Sequence, residues 1–209
     1  MEEIWLKDLQ NSQNFRLRRK KWKKSGFLGS KFQKIFACGA EKGNEGCDKS
    51  VLVFAENPFK KPQNSFNYSL YYFEVKCIFE RELNGSISKM NIGLRNCSTT
   101  NYISYYAKYG RIYNGQSFKL SSFTWNNNDI FGCGLVYPPT NMTNKFPYIF
   151  YTQNGKQIGK GVLLKDNSDS YKPRVWLNCC SIEANFGDDL ESKPFEYDIS
   201  KHLIIKEFY

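Results

Sequence analysis

A two-residue alternation along residues 71–79 constrains the fold more than any other feature of this sequence. Every second residue of YYFEVKCIF, beginning with Tyr71, belongs to one mostly apolar set, whereas Glu74 and Lys76 occupy alternate positions. Successive side chains of a strand point to opposite faces of a sheet, so the pattern predicts a strand with one buried and one half-exposed face. Further strands are predicted at residues 51–54, 90–94, 129–136, 173–177 and 181–186.

Short strands separated by turn residues predict an all-β fold, a two-sheet antiparallel β-sandwich. Helix signals are confined to the chain ends, where Ile4, Trp5, Leu6 and Leu9 fit one short amphipathic helix in an N-terminal extension.

The glycine-rich segment 148–161, YIFYTQNGKQIGKG, fits either a phosphate-binding loop or a tight turn. A P-loop has four residues between its glycines and then Lys and Ser or Thr. Here only three residues separate Gly155 from Gly159, and Gly161 stands where the hydroxyl residue would be. Asn154-Gly155 instead suits the two positive φ angles of a type I′ turn. We therefore predict a β-hairpin.

The positive charge of the chain is concentrated near its N-terminus. The net charge is +10, and seven of the 30 basic residues lie within residues 16–24, RLRRKKWKK. Such a cluster can bind nucleic acid or acidic lipid, act as a nuclear-import signal, or be a solvated flank. Trp22 alone gives little support for base stacking. The basic patch consists of Arg16, Arg18, Arg19, Lys20, Lys21, Lys23 and Lys24.

Cysteine usage indicates the compartment. Seven cysteines without a Cys-x-x-Cys pair, together with a single histidine, do not fit a zinc site. We expect buried, reduced thiols and hence a reducing compartment, either cytoplasm or nucleus. The first residues, MEEIWLKDLQ, do not resemble a signal peptide. A signal peptide preceding this chain would instead direct it to secretion, for example into a host cell. No apolar run is long enough for a membrane helix.

The sequence contains no residue pattern that supports an enzymatic activity. We expect His202 to be a surface or half-packed residue of the C-terminal tail, and Asp188, Asp189 and Glu191 to form a solvated acidic turn. No metal-ligand pattern, glycine cradle or nucleophile elbow is present in the sequence. The chain is therefore predicted not to be an enzyme and to need no cofactor.

The order and spacing of six segments resemble the SPRY domain. They are YYFEVKC (71–77), NIGL (91–94), GRIYNGQSF (110–118), NDIFGCGL (128–135), IFYTQNGKQIG (149–159) and IEANFG (182–187). The ending PFEYDI (194–199) resembles the Ran-binding-protein-like branch, which includes secreted SPRY effectors of plant-parasitic nematodes. The resemblance covers residues 27–200 and implies a concanavalin-like jelly roll. It assigns residues 1–26 to a basic extension and residues 201–209 to a C-terminal tail.

The chain also departs from that branch. Residues 112–115, IYNG, replace its acidic Gly-Asp-Asp-Gly turn, so the partner is expected to differ. Neither the PRY signature nor a LisH or CTLH segment is found, so a lone SPRY module is expected.

The resemblance implies that loops at one rim of the sandwich bind a peptide or a folded protein. By position these are the stretch after Leu94, the turn at 105–116, the 137–147 loop and the 176–181 turn. Exposed aromatic and Arg side chains on rigid loops are the usual anchors. The predicted partner-binding residues are Tyr102, Tyr105, Tyr106, Tyr109, Arg111, Tyr113, Trp176 and Asn178. Some of these tyrosines could instead belong to a strand core, and that alternative stays open.

Core and structural positions are predicted separately. Phe73, Val75, Ile92, Phe131, Phe150 and Phe186 are expected in the core, and Asp129 and Asn185 are expected to bond local turns and backbone.

Three function classes remain. The leading one is a non-enzymatic, monomeric protein-interaction module that acts as an adaptor or effector. The second is a lectin-like sandwich that binds carbohydrate, although it would favour secretion and paired cysteines. The third is nucleic-acid binding through residues 16–24, which would show a steep dependence on salt.

Overall fold

Two antiparallel sheets make up the part of the chain that the computed structural model describes: residues 50–79, 88–166 and 168–209, and the backbone of residues 33–36. The strands are β1 (Gln33–Phe36), β2 (Ser50–Phe54), β3 (Phe59–Lys60), β4 (Ser69–Phe79), β5 (Lys89–Asn96), β6 (Tyr102–Tyr106), β7 (Arg111–Asn114), β8 (Gln116–Lys119), β9 (Ile130–Tyr137), β10 (Tyr148–Gln153), β11 (Lys156–Leu163), β12 (Ser170–Asn178) and β13 (Cys180–Asn185). The described residues contain no α-helix, only 3-10 turns at Ala107–Tyr109 and Ile199–Lys201. The predicted all-β sandwich is confirmed. The predicted N-terminal helix and the basic patch lie outside the described residues.

The strand order defines the two layers. Sheet A has the order β1-β13-β4-β9-β10-β11, and sheet B has the order β2-β12-β5-β6-β7-β8, with β3 also paired to β12. In each sheet a strand from near the C-terminus lies between two strands from the first half of the chain, β13 between β1 and β4 and β12 between β2 and β5, so long-range pairing holds the sandwich together.

The main core lies between the inner faces of the sheets. Phe73, Val75 and Phe131 of sheet A and Ile92 of sheet B are fully buried there, as predicted. Phe186 is partly buried and packs against the same cluster. The predicted burial of Phe150 is also confirmed. However, Phe150 belongs to a second cluster, which forms on the other face of sheet A.

The C-terminal segment covers the outer face of sheet A. Leu70, Tyr72, Val136, Tyr148 and Phe150 point outward from this sheet and are covered by side chains between residues 195 and 208. The prediction that β4 has a half-exposed second face is therefore wrong at its centre.

Glu74, on that second face, is buried because the C-terminal segment runs over it. Its carboxylate accepts hydrogen bonds from the backbone N–H groups of Glu196 and Tyr197, both at 2.9 Å, and from the Tyr72 hydroxyl at 2.8 Å. Burial raises the pKa of Glu74 above its ordinary value, against the opposing effect of these hydrogen bonds. The carboxylate thus fastens the C-terminal segment to the sheet.

His202 is a second attachment point, and the prediction of a surface or half-packed residue is wrong. Its side chain is 2% exposed and stacks on Phe150, with ring centroids 4.1 Å apart. Its Nε2 lies 3.2 Å from the Tyr148 hydroxyl, and its Nδ1 lies 2.8 Å from the Tyr197 hydroxyl. Beyond it, Tyr209 stacks on Phe118 at 4.9 Å. Residues 201–209 therefore pack against the sandwich.

The predicted hairpin is confirmed in the β10–β11 connection. Asn154 and Gly155 have φ angles of 48° and 73°. The Asn154 side chain donates to Asp129 Oδ1 at 2.9 Å and accepts from the Ile130 N–H at 2.8 Å. Asp129 is thus a local turn partner, as predicted. Asn185 is one too, since its Oδ1 accepts from the Gly187 N–H at 3.0 Å.

The described cysteines form no disulfide with one another. Cys77, Cys133, Cys179 and Cys180 are buried, and Cys97 is exposed. Their burial agrees with the expectation, whereas the compartment stays a prediction.

Candidate functional site

The outer face of sheet B is the candidate site, and strand register determines which side chains share it. Along β12, every second residue from Tyr171 to Leu177 is buried, whereas Lys172, Arg174 and Trp176 are partly exposed. Arg174 and Trp176 therefore point away from the core. Antiparallel pairing then sets the neighbours of each residue, because directly opposed side chains lie on the same face.

Two rows of paired residues cross the sheet. One row contains Leu52, Trp176, Asn91, Tyr106 and Arg111. The next row contains Phe54, Arg174, Gly93, Ser104 and Tyr113, and beyond it Lys172 pairs with Arg95 and Arg95 with Tyr102. On the other side of the first row, Asn178 pairs with Ser50 and with Lys89, and Arg111 pairs with Lys119 of β8. We call this surface the sheet B face.

Arg174 lies at the centre of the sheet B face. Its Nη1 donates to the Ser104 hydroxyl at 3.0 Å, and its Cζ lies 4.4 Å from the centroid of the Tyr102 ring. Gly93 stands between Arg174 and Ser104 in the row, so the guanidinium crosses a position that has no side chain. A cation over an aromatic face is attracted by the ring quadrupole. Arg174 is therefore held in one place by two contacts.

Three tyrosines form a continuous group beside Arg174. The ring centroids of Tyr102 and Tyr113 are 5.5 Å apart, and those of Tyr106 and Tyr113 are 6.5 Å apart in an edge-on arrangement. Burial, followed by a hydrogen bond with Tyr102, raises the pKa of Tyr106 to about 12. The Tyr106 phenol is therefore neutral at physiological pH and can donate a hydrogen bond.

Arg174 forms no salt bridge with another residue of the described ranges. Burial lowers the pKa of Arg174, and the next contributions come from Tyr102 and Tyr106 rather than from a carboxylate. Arg95 adds a second positive charge nearby, and its Cζ lies 5.5 Å from the centroid of the Phe54 ring. Among the described residues, the salt bridges are Lys160–Glu207 and Lys201–Asp198. Neither of them involves the sheet B face.

Charge of one sign spreads over the whole surface. The outward positions of β2, β5, β6, β7, β8 and β12 include six basic residues and no acidic residue. The basic ones are Lys89, Arg95, Arg111, Lys119, Lys172 and Arg174.

Six of the eight predicted partner-binding residues lie on the sheet B face. They are Tyr102, Tyr106, Arg111, Tyr113, Trp176 and Asn178. They occupy strands of the sheet, however, whereas the prediction placed most of them in rim loops. Tyr102 is 36% exposed and Arg111 is also exposed, and the other four are partly exposed.

The two remaining predicted residues lie elsewhere. Tyr105 is fully buried, with its ring centroid 5.9 Å from Phe131 and 5.8 Å from Tyr151. Its assignment as a surface contact is therefore wrong, because it alternates with Ser104 and Tyr106 onto the inner face of β6. Tyr109 is 45% exposed in the 3-10 turn between β6 and β7, where Lys108 Nζ lies 5.9 Å from its ring centroid.

Sequence reasoning missed Arg95, Arg174, Leu52 and Phe54. The alternation of β12 contained a signal for Arg174, which stands two positions before Trp176 and hence on the same face. No comparable signal was available for Leu52 and Phe54, because their place beside β12 depends on the pairing of β2 with a strand more than a hundred residues away.

The described residues contain neither a metal-binding cluster nor a membrane-spanning helix. Within residues 50–79, 88–166 and 168–209, no group of three or more His, Cys, Asp or Glu side chains is arranged to hold a metal ion. In the same part of the chain, no helix has the length and apolar character needed to cross a membrane.

Among known proteins, this chain is similar only to solved structures and not to a family model or a curated sequence. No protein-family model matches the chain, and no curated protein matches it. A solved human SPRY domain is 23% identical and superposes with a TM-score of 0.51, covering 76% of this chain and 98% of that domain.

Two weaker structural matches follow. The SPRY domain of human HERC1 is 15% identical over 65% of this chain and 80% of that chain, with a TM-score of 0.43. The metal-free carbohydrate recognition domain of Emp46p is 6% identical over 73% and 84% of the two chains, with a TM-score of 0.44. Scores this low carry no weight. The first match, which spans almost the entire human domain, shows that this chain has the concanavalin-like β-sandwich fold of a SPRY domain.

Proposed function

We propose that the protein is a non-enzymatic interaction module that captures a peptide or protein segment on the sheet B face. The fold supports this proposal because it is shared with a SPRY domain, and the sequence segments resemble the same family. The group formed by Tyr102, Tyr106, Tyr113 and Arg174 supports it more directly, since Tyr, Trp and Arg dominate the binding energy of protein interfaces.

The contrast between the two outer faces is the observation that carries the proposal. On sheet A, the aromatic side chains that point outward are covered by the C-terminal segment. On sheet B, Leu52 is 46% exposed and Tyr102 is 36% exposed at opposite sides of the Arg174 row. Exposed aromatic and apolar area next to fixed polar groups is typical of a binding surface.

Rigidity favours binding at this face. The anchors lie on strands in the interior of a sheet, and Arg174 is held by Ser104 and Tyr102. Side chains that are already ordered lose little conformational entropy when a partner docks. Most of the conformational entropy that is lost on binding would therefore be lost by the partner.

Selection from a random linear peptide library displayed on phage tests the proposal. The wild-type protein should enrich a defined set of peptides. A variant with Tyr102→Ala and Trp176→Ala should not enrich this set. A control with Phe66→Ala, which removes an 80% exposed ring outside sheet B, should enrich the same set as the wild type.

Two outcomes would contradict the proposal. One is enrichment of the same peptides by all three proteins, and the other is the absence of any enriched set. A glycan array tests the lectin alternative. If the wild type binds defined sugars and the double variant does not, the ligand of the sheet B face is a carbohydrate and not a peptide. Thermal unfolding of each variant establishes that the fold is retained.

An adaptor or effector role belongs to the same proposal. The Ran-binding-like ending and the likeness to nematode effectors are its support, together with the expected monomeric state. A location in the cytoplasm, in the nucleus or, after secretion, in a host cell would follow from the partner that the face selects.

A further inference from the structure

We infer that the sheet B face selects an acidic peptide segment, with a carboxylate of Asp or Glu bound by Arg174 and a neighbouring apolar side chain packed beside Leu52 and Phe54. This inference rests on the proposed function and specifies its ligand.

The hydrogen-bond donors of Arg174 favour a carboxylate as the ligand group that it binds. A guanidinium has five N–H donors. Among the described residues, the hydrogen-bond partner of this one is Ser104, and its ring contact is Tyr102. The group is half-buried, so part of its hydration is already lost in the free protein. Charge-assisted and bidentate hydrogen bonds are stronger than hydrogen bonds between neutral groups, and the planar guanidinium of Arg matches the planar shape of a carboxylate.

The charge of the whole face supports an acidic ligand over a neutral one. Six basic and no acidic side chains occupy the outward positions of its strands. Clustered charge of one sign raises the local concentration and the association rate of an oppositely charged partner, and it repels basic partners.

The ring arrangement favours a peptide over single-stranded nucleic acid. Base stacking needs free aromatic faces. One face of Tyr102 is covered by the Arg174 guanidinium, and Tyr106 meets Tyr113 edge-on. The exposed apolar surface at Leu52, with Phe54 beside Arg95, suits an aliphatic or aromatic side chain.

The composition of the selected peptides is the first test. Peptides that depend on Tyr102 and Trp176 should contain Asp and Glu in excess over the unselected library, next to an apolar residue. A selected set that depends on this face but lacks the acidic excess would overturn the inference while leaving the proposed function intact. An empty set would overturn both.

Fluorescence anisotropy with the most enriched peptide is the second test. Arg174→Gln, which can still bond Ser104, should weaken binding at least about tenfold, the loss expected for a charge-assisted hydrogen bond. Lys156→Gln removes one positive charge from an exposed position of sheet A and should change the affinity by less than about twofold. Equal affinities of wild type and Arg174→Gln would overturn the inference. So would Arg174-dependent binding of labelled oligo(dT) that is tighter than binding of the peptide, because the ligand would then be nucleic acid.

Discussion

Acidification should destabilise the protein through His202, its single histidine. Burial lowers the pKa of His202 from an ordinary value of 6.5 to about 4. The unfolded chain therefore takes up the proton first. The contribution of His202 to stability is complete above pH 6.5 and is lost as the pH falls toward 4. The full pKa difference corresponds to about 3 kcal/mol, and roughly 2 kcal/mol of it is lost between about pH 7 and pH 5. For a domain of this size that loss lowers Tm by about 6 °C.

Urea unfolding followed by tryptophan fluorescence, at about pH 7 and pH 5, measures this loss. His202→Phe is the matched variant, because its ring can still stack on Phe150 but does not titrate. Glu74 acts in the opposite direction, since its raised pKa makes the folded state take up a proton more readily as the pH falls. The pH dependence of the variant contains the Glu74 effect, and subtracting it isolates His202. Equal losses of stability in both proteins between the two pH values would refute the reasoning.

Three further substitutions test the packing, each by urea unfolding against the wild type. Asn154→Ala should cost about 2 kcal/mol, because it places Ala at a positive φ and removes two side-chain hydrogen bonds, while Asn154→Gly should cost less. Gly134→Ala should cost about 1–3 kcal/mol, because a Cβ there would lie 2.1 Å from the Phe150 ring. Glu74→Gln should cost about 1–3 kcal/mol and speed amide exchange at Glu196 and Tyr197, because one of the two acceptor oxygens becomes a donor. A stability within about 0.5 kcal/mol of the wild type would contradict the corresponding contact in each case.

Local signals in the sequence were sufficient for six of the strands and for the hairpin of β10 and β11, but not for β6 and β7, whose residues were predicted in loops. The alternation in residues 71–79 predicts β4, and Asn154-Gly155 predicts the turn because few other residue pairs adopt two positive φ angles. Both depend on neighbouring residues alone. For the same reason the sandwich class followed from the number of short strands.

Burial that depends on distant segments could not be predicted in this way. Glu74 follows the pattern of a solvent-facing residue, yet its carboxylate accepts from residues 122 and 123 positions later in the chain. His202 is buried for the same reason, since Tyr148 and Phe150 lie 54 and 52 residues earlier in the chain.

The candidate site was predicted only in part, because its strands contain aromatic and apolar residues on both faces. In YISYY, the sequence of β6, almost every position is aromatic or apolar, so alternation does not separate the inward Tyr105 from the outward Tyr106. Arg174 could become a central residue of the site only after β12 was placed between β2 and β5.

A crystal structure of the wild-type protein with its most enriched peptide would test the central claim most directly. We predict the peptide on the sheet B face, with one of its carboxylates within hydrogen-bonding distance of the Arg174 guanidinium and an apolar side chain against Leu52. A peptide bound at the 137–147 loop, or on sheet A, with Arg174 still exposed to solvent, would contradict the account.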